Sequence, residues 1–255
     1  MKIFETHAHL DLRDFDRDRA RVIEKCRKVG VEYLINIGYN QKTSNNAIEL
    51  AKKYDFIHAS VGYHPHNAVD YQEDVIRELA VKDKVVALGE IGLDYYRDLS
   101  PRDVQREVFQ KQIELAKEFE LPIIVHDRDA HDDCFEILKE QQAKDVVFHC
   151  FSGNVIFAEE VLSEDWKISI AGTITFKNNY SLKDVVRMLP DDSYFIETDS
   201  PYLAPVPFRG KRNTPFYLPY VIEEIGRIRM QSPKKVASQT YDNAVKFFFP
   251  DKKKK

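Results

Sequence analysis

The sequence predicts an α/β fold, a (β/α)8 TIM barrel, on three observations. Short apolar runs rich in Val, Ile and Tyr recur along the chain with amphipathic stretches between them, the alternation of strand and helix that builds parallel sheets. The runs are nearly continuously apolar, as strands covered on their outer face are. Residues able to do chemistry collect at or near the ends of several runs, where a barrel gathers its active-site groups.

The first run is Ile3-Phe4-Glu5-Thr6-His7-Ala8-His9, and those at 33–38, 57–62, 85–90, 122–126, 146–149, 167–172 and 194–199 follow. About eight such strands within 255 residues fit one closed barrel. The stretches 16–29, 43–54, 102–119 and 130–142 place their apolar residues at helical spacing. An open doubly wound sheet is the alternative, but no glycine-rich phosphate fingerprint follows any run, and an open sheet offers one crevice at a switch point. No internal repeat or low-complexity linker breaks the chain, so residues 1–255 are read as a single domain. Residues 201–219 hold five prolines without periodicity and follow the last run, the position of a substrate loop.

With 43% hydrophobic and 31% charged residues, the chain has room for a sizeable core and the balance of a soluble protein. A net charge of −4 supplies no overall positive field, so any polyanion must be met by local groups or bound cations. The first residues lack a basic and then apolar leader, and no run approaches the roughly 18 residues of a membrane helix. The expected location is the cytoplasm, away from membranes. Cys26, Cys134 and Cys150 are odd in number and form no CxxC pair, so buried free thiols are expected rather than a disulfide framework. Lys252 to Lys255 reads as a solvated terminus rather than a nucleic-acid patch. No protein partner is inferable.

Six residues at the run ends are candidate metal ligands: His7, His9, Glu90, His126, His149 and Asp199. His7 and His9 are two apart, so on a strand both imidazoles share one face and can reach one ion. Taken singly, each has an ordinary explanation as a rim residue, an ion-pair partner or a turn initiator. Jointly, four histidines and two carboxylates exceed the needs of one tetrahedral ion and match two ions sharing a bridging carboxylate. Glu90 is the natural bridge, with His7, His9 and Asp199 on one ion and His126 and His149 on the other. Such a pair lowers the pKa of a bound water and stabilises charge on the attacking and leaving oxygens. Asp199 can accept the proton of that water, which makes Asp199 and Glu90 the expected catalytic residues and hydrolysis the expected chemistry.

Thr6-His7-Ala8-His9-Leu10-Asp11, Gly62-Tyr63-His64-Pro65-His66, Gly89-Glu90-Ile91-Gly92-Leu93-Asp94-Tyr95-Tyr96, His126-Asp127-Arg128-Asp129-Ala130, His149-Cys150-Phe151-Ser152-Gly153 and Glu197-Thr198-Asp199-Ser200-Pro201-Tyr202-Leu203-Ala204-Pro205 together resemble the TatD family of metal-dependent hydrolases. The resemblance runs end to end and in order. It implies an amidohydrolase-type barrel, two divalent metal ions, and deoxyribonuclease activity, commonly as a 3′ to 5′ exonuclease. The same six residues are the ligands it implies. It points to magnesium in activity, although histidine ligands also suit manganese or zinc. The family often has Asp where this chain has Glu5, and Glu where it has Thr214, in Arg212-Asn213-Thr214-Pro215. Glu5 bears on support of the histidines, and Thr214 on a carboxylate expected at the rim.

A phosphodiester needs donors around the metals, and the candidates are His64, His66, Arg128, Arg209, Lys211 and Arg212. Tyr95, Tyr96, Tyr202 and Phe208 could stack on splayed bases, so DNA with single-stranded ends is the expected substrate. Two other readings compete: hydrolysis of a small-molecule amide, lactone or phosphoester at the same metals, and a catalytically silent metal-stabilised scaffold. Every proposed ligand is present, which speaks against the scaffold.

Overall fold

Among residues 1–250, the part of the chain described by this computed structural model, eight strands alternate with nine α-helices. The strands are β1 (Ile3–Ala8), β2 (Val31–Ile37), β3 (Ile57–Val61), β4 (Val85–Asp94), β5 (Ile123–Arg128), β6 (Val146–Phe148), β7 (Lys167–Ile170) and β8 (Tyr194–Ile196). They form one eight-stranded sheet in chain order, β1 to β8. The pairings β3 with β4, β4 with β5, β5 with β6 and β7 with β8 are parallel. This is the strand order of a (β/α)8 barrel, as the alternation of runs predicts. Lys252 to Lys255 lie outside the described residues. No described helix is long and apolar enough to cross a membrane.

Helices α1 (Arg19–Val29), α2 (Gln41–Lys53), α3 (Glu73–Ala80), α4 (Arg102–Glu118), α5 (His131–Glu140), α6 (Val155–Ser163) and α7 (Tyr180–Met188) each lie between successive strands. After β8 come two more, α8 (Leu218–Arg229) and α9 (Pro233–Phe248). The loop read as 201–219 is therefore shorter than expected. A 3₁₀ turn at Pro215–Tyr217 runs straight into α8, and Pro219 sits in its first turn. Proline lacks an N–H and has a helical φ, so it suits that position. Helix α9 opens likewise, with Pro233 behind a Ser232 cap that accepts from Lys235 N.

The chain divides into two compact units, Met1–Ile35 with Gly153–Lys255, and Asn36–Ser152. In the first, α9 packs on β1 and β8. Phe4 meets Phe248 and Phe249 at ring distances of 5.8 and 5.6 Å, and Phe195 meets Phe247 and Phe248 at 5.1 and 5.7 Å. Each fully buried phenylalanine contributes about 1.5–3 kcal/mol relative to an exposed one, which accounts for an extra helix closing over these strands.

In the second unit, the apolar face of α2, with Ala47, Ile48 and Ala51, lies on β3, and α4 lies on β4. Two buried glutamines on α4 do more than pack. Gln112 accepts from Tyr63 N at 2.7 Å and donates to Tyr63 O at 3.0 Å. Gln105 accepts from Asp94 N at 2.9 Å and donates to Ser100 O at 2.8 Å. These bonds fix the backbone just beyond β3 and at the end of β4, where the next polar groups lie. Cys26 and Cys134 are buried free thiols as expected, whereas Cys150 is half-buried.

Candidate metal centre

In the first unit, a parallel bridge between Ala8 and Ser200 joins the end of β1 to the segment after β8. Asp199 N donates to His7 O at 2.9 Å and His9 N to Ser200 O at 2.8 Å. This bridge brings three sequence-predicted ligands together. Asp199 Oδ1 is 3.7 Å from His7 Nε2 and 3.4 Å from His9 Nε2, and the two imidazole rings are 5.1 Å apart. Asp199 has φ 54°, a left-handed conformation that aspartate tolerates better than most residues. A turn follows, closed by Tyr202 N on Asp199 O at 2.8 Å.

Glu5 supports this group from beneath. It is completely buried, and its Oε1 accepts from His7 N at 3.2 Å and Thr198 N at 2.9 Å, while Oε2 accepts from the Thr198 hydroxyl at 2.7 Å. Burial pushes its carboxyl well above the usual carboxylate range, against the opposing pull of these donors. Glu5 thus joins the backbones carrying His7 and Asp199. Replacing Glu5→Ala strands three buried donors, at about 1–3 kcal/mol for each one left unsatisfied. The expected result is a lower melting temperature together with metal binding weakened about 10–100-fold, measurable by calorimetric titration; unchanged metal affinity would reduce Glu5 to a packing role.

In the second unit, the pairing of β4 with β5 contains a bulge. Gly89 faces Ile124 and Ile91 faces Val125, so Glu90 is the extra residue between them. A bulge re-aims the side chain of its extra residue, and here Glu90 Oε1 lies 2.7 Å from His126 Nδ1 and 2.8 Å from His149 Nε2. The two ring nitrogens are 3.3 Å apart, so three donor atoms converge on one point. Strand β4 runs on to Asp94, beyond the end read from sequence at Glu90.

Asp94 proves to be a central group of this cluster. Its Oδ2 lies 3.1 Å from His126 Nε2 and 2.8 Å from His66 Nε2, and its Oδ1 accepts from Tyr96 N and Arg97 N at 3.1 and 2.7 Å. Carboxylate oxygens thus stand against both ring nitrogens of His126, Asp94 at Nε2 and Glu90 at Nδ1. His64 is buried, and its Nδ1 accepts from His66 N at 3.0 Å. Its Nε2 therefore carries the hydrogen, 3.5 Å from Glu90 Oε1. His64, Asp94 and His126 also lie close enough together to share an ion.

Burial alone would raise the pKa values of Glu90 and Asp94. The neighbouring imidazoles outweigh it, His149 and His64 most for Glu90 and His126 and His66 for Asp94, and hold both carboxyls well below their usual range. Burial lowers His64, and His126 adds to that; for His126 itself, burial is overcome by Asp94 and Glu90, which raise it. Two ionised carboxylates in a buried setting call for cations. Imidazole nitrogens and carboxylate oxygens are the donor set of zinc, manganese and related ions, so the residues fit a divalent metal.

The rim candidates are spread more widely. Exposed Arg128 lies over the ring of exposed Tyr96 at 4.3 Å, and Arg209 over Phe176 at 4.3 Å. Lys211 is exposed. Arg212 forms a two-pronged pair with Asp18, each bond 2.8 Å. Tyr202 is 54% exposed and its ring lies 6.2 Å from that of His9, whereas Phe208 stacks on Tyr217 and the Tyr95 hydroxyl donates to Asp133. Thr214 is buried rather than on a rim. Beside it, Asn213 donates to Thr198 O at 2.8 Å and Tyr202 O at 2.6 Å, holding the loop to the Asp199 segment. Asp94, Asn213, Gln105 and Gln112 are not among the candidates that the run ends single out. The two glutamines had a usable signal, since they stand seven apart on the face of α4 that also carries Phe109 and Ala116.

Comparison with known proteins adds a family context. The profile described as TatD related DNase matches residues 4–249. An uncharacterized metal-dependent hydrolase of Bacillus subtilis, YabD, is 45% identical over 96% of this chain and 98% of its own. The 3′-5′ ssDNA/RNA exonuclease TatD of a Rahnella species is 36% identical over 96% and 98%. Among solved structures, the TatD homologue YJJV of Escherichia coli superposes with a TM-score of 0.92 at 28% identity, covering 96% of this chain and 97% of that one.

Proposed function

We propose, for a chain that belongs to the family of TatD related DNases and is a metal-dependent hydrolase acting on ester bonds, that its substrate is the phosphodiester backbone of DNA and that it trims single-stranded ends from 3′ to 5′. The observation that carries this reading is the convergence of Glu90 Oε1, His126 Nδ1 and His149 Nε2, at 2.7, 2.8 and 3.3 Å from one another. His7, His9 and Asp199 form the second donor group. We assign a divalent ion to each group, because imidazole nitrogens and carboxylate oxygens suit such ions and six donors exceed the needs of a single one. The free thiols of Cys26 and Cys134 agree with a cytoplasmic enzyme.

When bound, the ions lower the pKa of a water and neutralise charge on the phosphate oxygens. The chain's own groups supply the rest. Asp199, at the mouth of the first group, accepts the proton from the attacking water. Asp94 and Glu90 hold His126 by its two ring nitrogens. The Nε2–H of His64 is available to a non-bridging phosphate oxygen. Tyr96 and Tyr202 are exposed and offer faces on which bases of a splayed strand can stack, each worth about 1–3 kcal/mol. The exonuclease named among the relatives supports a single-stranded substrate.

The test is cleavage of end-labelled single-stranded and blunt duplex DNA by chelator-stripped protein, with magnesium, manganese or zinc restored in turn. Stripped protein should be inactive, and restored protein should shorten the single strand stepwise from its 3′ end faster than the duplex. Equal rates on the two substrates would remove the single-strand preference. Cleavage of a cyclic amide or lactone but of no oligonucleotide would move the substrate to small molecules.

A further inference from the structure

Beyond the metal ligands, the first unit holds a pocket of about 570 Å³ lined only by arginine and aspartate: Arg13, Asp14, Arg17, Asp18, Arg21 and Arg212. Four arginines against two aspartates leave a positive excess in a chain whose net charge is −4. The pocket begins four residues after His9, within about 14 Å along even a fully extended chain.

The Asp18 and Arg212 side of it is fixed before any ligand arrives. Arg19 donates to the carbonyls of Leu10, Asp11 and Leu12 at 2.6, 3.0 and 3.1 Å, pinning the turn that leaves β1. Arg212 reaches from the loop after Asp199 to Asp18 and to Asp14 O at 2.5 Å, and its guanidinium covers the buried ring of Phe15 at 4.7 Å. The Arg212 bond holds Asp18 down to about 2, so Asp18 stays charged and keeps its own partners. Asp18 also takes Arg21, at 3.2 Å. Arg13 and Arg17 are exposed, and among the described residues neither has an ion-pair or side-chain hydrogen-bond partner. A pocket walled by arginines, with two of them uncompensated, is built for a polyanion: guanidinium forks match phosphate oxygens two at a time.

We infer that this pocket is a phosphate subsite, in which Arg13 and Arg17 grip the sugar-phosphate backbone of the substrate strand a short way from the bond being cut. The inference rests on the nucleic-acid reading above. It moves the main phosphate contacts from the 209–212 loop to the turn after β1, with Arg212 as the residue that shapes the pocket rather than the one that meets the ligand.

The experiment measures binding of a fluorescent single-stranded oligonucleotide by the magnesium-loaded enzyme across a range of salt. Phosphorothioate linkages keep every charge on the oligonucleotide and resist cleavage. Arg13→Gln/Arg17→Gln is compared with Arg187→Gln/Arg227→Gln, which removes the same charge from exposed arginines of α7 and α8. For single strands the slope of log affinity against log salt is about −0.7 per phosphate contact, so the pocket variant should lose about 1.4 of slope and the control variant none. Equal slopes in the two double variants overturn the inference. If wild type cleaves no DNA yet the pocket-dependent slope remains, the subsite stands and the nuclease reading fails. If wild type binds no oligonucleotide, both fall.

Discussion

Asp199→Asn should lower the rate of metal-dependent hydrolysis on the order of 10²–10⁴-fold, the range for removing a positioned general base. The amide is nearly isosteric, so the bond from Asp199 N to His7 O, 2.9 Å long, has no reason to open. What changes is charge and proton affinity. The carboxylate oxygen 3.4 Å from His9 Nε2 and 3.7 Å from His7 Nε2 loses its negative charge, and with it the ability to hold a divalent ion and to accept a proton from water. Two measurements separate these losses. A metal titration gives the loss of affinity, and kcat at saturating metal gives the loss of the base. If kcat at saturation stays within about tenfold of wild type, below the range for a general base, Asp199 is a ligand only and the proton goes elsewhere.

Gly92→Ala is expected to be among the most damaging changes of a single methyl group in the chain. Gly92 pairs with His126 across β4 and β5 and has φ 141°, a conformation that side chains rarely adopt. A Cβ there would lie 2.0 Å from His126 O, 2.9 Å from His126 C and 3.1 Å from His126 N. All three atoms are backbone, so no side chain can swing aside. The strands must part, and the Glu90–His126 geometry set by the bulge one turn of the pleat earlier parts with them. We expect a loss of about 3 kcal/mol or more, at the upper end for single substitutions. At about 2–4 °C per kcal/mol for a domain of this size, the melting temperature falls by about 6–12 °C or more. Metal affinity should fall in parallel. Gly210→Ala is the control, because Gly210 also has positive φ, 84°, but its Cβ would meet nothing within 4 Å. A Gly92→Ala protein that melts no lower than Gly210→Ala would mean that the close approach of β4 and β5 is not needed.

Much of the fold and of the candidate site is legible in the residues themselves. The alternation of apolar runs with amphipathic stretches anticipates eight strands in chain order, and the spacing of His7 and His9 places both on one strand face, because that spacing depends only on the period of extended backbone. The run ends holding Glu90, His126 and His149 anticipate the cluster that the second unit forms. The end of the 201–219 loop was not legible, because the prolines that suggest a loop also open helices when they stand in the first turn.

Other features belong to the tertiary structure alone. The aim of Glu90 depends on a bulge, which is a mismatch of count between two strands and has no signature in either one. Arg209, Lys211 and Arg212 read as one basic cluster because they are neighbours in sequence. In the folded chain Arg212 instead finds Asp18, 194 positions away, and helps to build a different pocket with Arg13 and Arg17. Asp94 gains its role from two imidazoles on other elements, and Gln105 and Gln112 gain theirs from the strand ends that they cap. Side-chain chemistry and local period are properties of the chain and can be read along it. Register and choice of partner are settled by packing between distant segments, where each polar group must find a match once water is excluded.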